Sequence, residues 1–104
     1  MKLTLKKCIT LIFILTAPAL AHAQTEPPAK EITCRVCHGA SGAAPIAPNY
    51  PKLNGQNKVY LVSSLKAYRD GQRKGGLAGV MAAQAAQLSD ADIEALAAYY
   101  ASQK

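Results

Sequence analysis

The chain has 104 residues, the length of one small domain, and carries 12 Lys and Arg against 6 Asp and Glu for a net charge of +6. Lys2, Lys6 and Lys7 supply half of that excess, and the other cations are scattered, which excludes the clustered basic stripe of a nucleic-acid binder. Trp is absent and Phe13 is the only Phe, so aromatic packing beyond the N-terminus rests on Tyr50, Tyr60, Tyr68, Tyr99 and Tyr100.

The first segment has the three regions of a secretory leader. Met1 to Lys7 is basic, Cys8 to Leu20 is apolar, and Ala21-His22-Ala23 offers small residues for cleavage ahead of Gln24. The apolar run falls short of the roughly 20 residues that a spanning helix needs, and Cys8 stands at its head rather than after it, a poor position for lipidation. Residues 1–23 are therefore expected to be a cleaved leader and 24–104 the mature domain, exported to the bacterial periplasm with no stable membrane span. Taking those 23 from 104 leaves 81 residues whose only Cys are Cys34 and Cys37, whose only His is His38 and whose only Met is Met81, with the charge lowered from +6 to +3.

Residues 24–29, with Pro27 and Pro28, read as a loose lead-in to a short helix over Lys30 to Cys37. That helix delivers Cys34-Arg35-Val36-Cys37-His38, the C-x-x-C-H signature of covalent haem attachment. Two thiols at this spacing form thioethers with the two haem vinyl groups, and the adjacent imidazole lies under the iron as its proximal ligand. Rival readings fare worse. A thioredoxin-like pair needs neighbouring strands, a zinc site needs about four ligands, and a simple disulfide leaves His38 unexplained.

Gly39 to Gly55 is rich in Gly, Ala, Ser and Pro, and Pro45, Pro48 and Pro51 exclude a continuous helix. Gln56 to Asp70 is the clearest helix, with Leu61, Leu65 and Tyr68 on one face and Gly71 as its stop. Gly75-Gly76-Leu77-Ala78-Gly79 reads as a flexible run that brings backbone close to a flat cofactor, with Met81 just beyond it; a methionine on composition alone is a core gap-filler. Ser89 as N-cap, Asp92 three residues on, and the Leu88 and Ile93 staple start a last helix with an apolar stripe of Ile93, Leu96, Ala97 and Tyr100. No segment alternates as a strand does. The expected fold is all-α: about three short helices and long loops around one covalent haem, which supplies apolar bulk that so small a chain lacks.

The ordered set of motifs resembles the class I c-type cytochromes, in particular the small monohaem cytochrome c553 type and one half of a dihaem cytochrome c4. The resemblance runs from Cys34-Arg35-Val36-Cys37-His38-Gly39 through Ala47 to Gln56, Tyr60-Leu61 and Tyr68-Arg69-Asp70-Gly71 to Met81 and Leu88 to Tyr100. It implies one haem c held by Cys34 and Cys37, with His38 and Met81 as axial iron ligands. It also implies a backbone carbonyl near Pro48, with Pro45 as the fallback, that accepts the other N–H of His38; the plainer reading is that these prolines only stiffen the loop. Family members have a longer N-terminal helix that brings a glycine and an aromatic against the last helix, whereas here Ile32 is the available substitute.

With both axial positions filled, the implied task is one-electron transfer as a monomeric carrier, not catalysis, between donor and acceptor proteins docking at the haem edge. Lys52, Lys58, Lys66, Arg69, Arg73 and Lys74 are candidates for steering an acidic partner, or else a solvated basic surface. Two alternatives stand: a haem subunit of a larger periplasmic oxidoreductase, or a gas-binding or weakly peroxidatic haem protein if Met81 is not a stable ligand.

Overall fold

The computed structural model describes residues 12–18 and 26–104. Residues 12–18 have no regular secondary structure, and Cys8 and the expected cleavage site at Ala21 to Gln24 lie outside the described residues. Among the described residues there are helices and no strands: α1 Glu31–His38, a short 3-10 turn Ala40–Gly42, α2 Lys58–Arg69, α3 Ala78–Ala85 and α4 Asp90–Ser102. No helix among them is long and apolar enough to cross a membrane.

Helices α1, α2 and α4 begin and end close to where the sequence places them. Asn57 caps α2 by accepting the Tyr60 backbone N–H at 3.0 Å, and Gly71, at φ 71°, lets the chain turn away at the other end. At α4 the capping box forms in full: Ser89 Oγ accepts from the Asp92 N–H at 3.1 Å, and Asp92 Oδ2 accepts from the Ser89 N–H at 3.0 Å.

The fourth helix was not expected. Gly75 and Gly76, at φ 88° and 49°, form a turn, and the chain then winds into α3 despite Gly79. The alanine-rich sequence after Leu77 has the highest helix propensity available, enough to absorb one glycine. Met81 accordingly sits on a helix and not on a flexible loop.

Helix α2 packs against both α3 and α4. Leu61 of α2, Ala85 of α3, Leu88, and Ile93, Leu96, Ala97, Tyr99 and Tyr100 of α4 form the buried core, with Leu53, Val62, Leu65, Tyr68 and Cys34 packed around it. Each Leu or Ile fully withdrawn from water contributes about 1.5–3 kcal/mol. Arg69, at the end of α2, donates through Nη1 to Asp90 Oδ1 at 2.7 Å and to the Leu88 carbonyl at 3.3 Å, tying α2 to the start of α4.

The contact between α1 and α4 differs from expectation. Ile32 points outward, 67% exposed, and the residue that enters the interface is Glu31, fully buried, whose Oε1 accepts the Tyr100 hydroxyl at 3.1 Å. A one-residue rotation about the α1 axis explains this: the face that presents Cys34 inward carries Glu31 at i−3, and Ile32 falls outside it.

Candidate haem site

Cys34, Cys37 and His38 occupy positions i, i+3 and i+4 of α1, which brings them to one side of the helix at its C-terminal end. Both cysteines are half-buried free thiols, and burial pushes the Cys34 thiol above the ordinary cysteine range. His38 is buried, with its Nδ1 2.8 Å from the Pro51 carbonyl oxygen. A carbonyl only accepts, so Nδ1 carries the proton and Nε2 keeps its lone pair for a metal. The bond thereby orients the ring and, in the neutral imidazole, selects the tautomer with Nε2 free to coordinate.

The carbonyl is that of Pro51, not of Pro48 or Pro45. The loop's own hydrogen bonds explain the choice. Ile46 N–H reaches the Cys37 carbonyl at 3.0 Å and Leu53 N–H reaches the Gly42 carbonyl at 2.8 Å, so the chain leaves α1 and returns to it five residues beyond Ile46, at Pro51. Pro48 lies at the outer tip, inside the turn closed by Tyr50 N–H to the Ala47 carbonyl at 3.1 Å, and is exposed. The close return requires glycine at two points. A Cβ on Gly39, at φ 80°, would lie 2.3 Å from the Ala44 carbonyl oxygen, and one on Gly42, at φ 67°, would lie 2.7 Å from Leu53 Cβ.

Beside the imidazole, Pro45, Ile46, Tyr50 and Pro51 line a groove of about 510 Å³, with the Tyr50 ring 6.3 Å from that of His38. Large apolar side chains are left open to solvent on three successive segments: Ile46 on the loop, Val59 and Tyr60 on α2, and Leu77 and Val80 at α3. Exposed apolar side chains of this kind are suited to packing against a haem, the group that the C-x-x-C-H motif implies. The donor set fits the same group, since two thiols stand at thioether spacing next to a fixed imidazole. Met81 lies on a different element, half-buried on α3 one turn beyond Leu77.

Three of the six cations expected to steer a partner are engaged, and Lys66 is half-buried. Lys58 pairs with Glu94 at 3.2 Å, Arg69 with Asp90, and the Arg73 guanidinium lies 4.3 Å from the centre of the Tyr68 ring. Lys52 and Lys74 are exposed. Three residues at the site escaped sequence reasoning: Pro51 as the acceptor, Glu31 and Tyr100. A glutamate in a helix's first turn ordinarily faces solvent and complements the dipole, so nothing in the pattern marked Glu31 as buried.

An all-helical domain that fixes an imidazole beside two thiols at C-x-x-C-H spacing has the features of a haem c protein. The Cytochrome c family model matches residues 25–104. The chain is 58% identical to cytochrome c-554(548) of Halomonas halodenitrificans over 72 residues, 69% of this chain and 86% of that one. It is 40% identical to cytochrome c4 of Pseudomonas aeruginosa over 102 residues, which is 95% of this chain but 49% of that one. A thiosulfate dehydrogenase electron acceptor of Thiomonas intermedia is 39% identical over 70 residues, 67% of this chain and 32% of that one. The chain belongs to the cytochrome c family. Its cofactor is covalent haem c, and it is an electron-carrying haem protein that works with redox partners. It spans most of the c-554(548) sequence and about half the length of the cytochrome c4 relatives.

Proposed function

We propose that this protein is an exported, periplasmic one-electron carrier whose haem is bound through Cys34 and Cys37 and whose iron is held between His38 Nε2 and Met81 Sδ. The observation that carries the reading is the fixed imidazole: a buried ring, proton-bearing at Nδ1 by its bond to the Pro51 carbonyl, with a lone pair left on Nε2. Met81 is the only thioether side chain beyond the leader, and its position on α3 sets it in a rigid element packed on α2. When bound, haem supplies a single electron exchanged between ferrous and ferric iron, with the potential raised by a thioether ligand. The chain's own contribution is to orient His38 through the Pro51 carbonyl and to hold both axial positions so that little rearranges on transfer. Lys52 and Lys74 are the cations best placed to steer an acidic partner, because Lys58 and Arg69 already have carboxylate partners. The basic and apolar leader supports export, with residues 1–23 removed and 24–104 retained as a monomeric domain.

Absorption spectra of the exported protein, oxidised and reduced, test the ligand pair. A low-spin spectrum with a far-red sulfur-to-iron band that Met81→Ala abolishes is expected. A high-spin wild-type spectrum that shifts readily with carbon monoxide would instead mean an open iron and point to gas binding or peroxidase chemistry. The relatives named as electron acceptors of thiosulfate dehydrogenase favour a second reading, a haem module that serves one particular oxidoreductase. Co-elution with such an enzyme at native size in a periplasmic extract would support it.

A further inference from the structure

We propose that Glu31 is a buried negative charge whose field lowers the reduction potential of the haem held at Cys34. This rests on covalent attachment at Cys34. Glu31 is fully buried, and its carboxylate is served only by donors: the Tyr100 hydroxyl on Oε1 at 3.1 Å, and Arg35 Nε on Oε2 at 2.6 Å. The permanently charged guanidinium forms an ion pair with that carboxylate. Cys34 packs against the core cluster that contains Tyr100. Glu31 thus stands one helical turn before the cysteine that carries the haem, on the same face of α1.

The two charges of the pair are not equivalent. Glu31 is sealed from solvent while the Arg35 side chain is 41% exposed, so water screens the cation and leaves the anion's field largely intact inside the protein. Ferric iron carries one more positive charge than ferrous iron, so an unscreened anion favours the oxidised form. A structural role alone, closing the α1 and α4 contact that Ile32 leaves open, would need no charge at this position. Apolar replacements of buried ion pairs are often neutral or stabilising.

Glu31→Gln keeps the shape and an acceptor for Tyr100 but removes the charge. The midpoint potential of the purified holoprotein should rise by about a tenfold change in the one-electron equilibrium, the size of one partly screened unit charge, or ~59 mV. Tyr100→Phe, which retains the anion, should lower thermal stability without raising the potential. If Glu31→Gln fails to accumulate, the double variant Glu31→Gln with Arg35→Met removes both charges and should also raise it. An unchanged potential in a variant that has gained the mass of haem and keeps its low-spin spectrum would overturn the proposal. Absence of that mass in the wild type would instead overturn haem attachment itself.

Discussion

Gly39 shows how one residue without a side chain builds the surroundings of His38. At φ 80° it directs the chain from α1 back under the imidazole, and any Cβ there meets the Ala44 backbone oxygen, which has no freedom to move aside. Gly39→Ala should therefore cost at least about 2 kcal/mol, combining left-handed strain with a backbone clash, and denaturant unfolding of the holoprotein would measure it. The same substitution at Gly71, also at positive φ but with open space around it, meets only the strain and should cost less. Pro51 makes the complementary point. It contributes a carbonyl, and every residue type has one, so its identity carries no trace of the role. C-x-x-C-H was legible because its chemistry requires those side chains; the acceptor of His38 was not, because backbone chemistry is the same at Pro45, Pro48 and Pro51.

Among the elements, α4 is the one whose start the sequence spelled out most fully. Ser89, Asp92, Leu88 and Ile93 all take the expected parts of cap and staple, and Asp90 adds a bond to Arg69 that reaches back to α2. Arg69 holds the Asp90 carboxyl below the usual aspartate range, and the Ser89 backbone N–H does the same for Asp92. A carboxyl whose folded value is depressed lends stability that is complete above the unfolded value and is lost as pH falls through the folded one. The holoprotein should thus lose stability below about pH 4, and Asp90→Asn should flatten that acid limb in thermal melts recorded across pH. Ser89→Ala should cost about 1 kcal/mol at neutral pH, the usual effect of removing an N-cap. Helix α3 was missed for a reason particular to its sequence. Glycines before and within it read as flexibility, and only its packing on α2 gives the alanine run a partner for Ala85.

For the whole molecule, the core is centred on α4, and the α1 and loop side contributes mainly the haem-binding residues. The buried apolar side chains among the described residues come from α2, α3 and α4 and the turn before it, while Ile46, Val59, Tyr60 and Val80 are exposed. Burial on that scale is marginal for a chain of this size. The protein without haem should consequently be largely unfolded, and far-UV circular dichroism of a Cys34→Ala, Cys37→Ala variant is expected to show little cooperative helix on heating. A sharp helical transition in that variant would mean that α2, α3 and α4 fold without the cofactor.

Local sequence was enough to read the C-x-x-C-H motif of Cys34, Cys37 and His38, an all-helical chain and the start of α4. These are local matters, since a motif's spacing, a cap and an apolar stripe each lie within a few residues. Tertiary structure decided what depends on residues far apart in the chain. It chose Pro51 as the partner of His38, turned Glu31 inward in place of Ile32, and engaged Lys58 and Arg69 with carboxylates of α4. Each of these follows from where a loop returns or how a helix is rotated on its neighbour, and those are properties of the packed chain that no local pattern encodes.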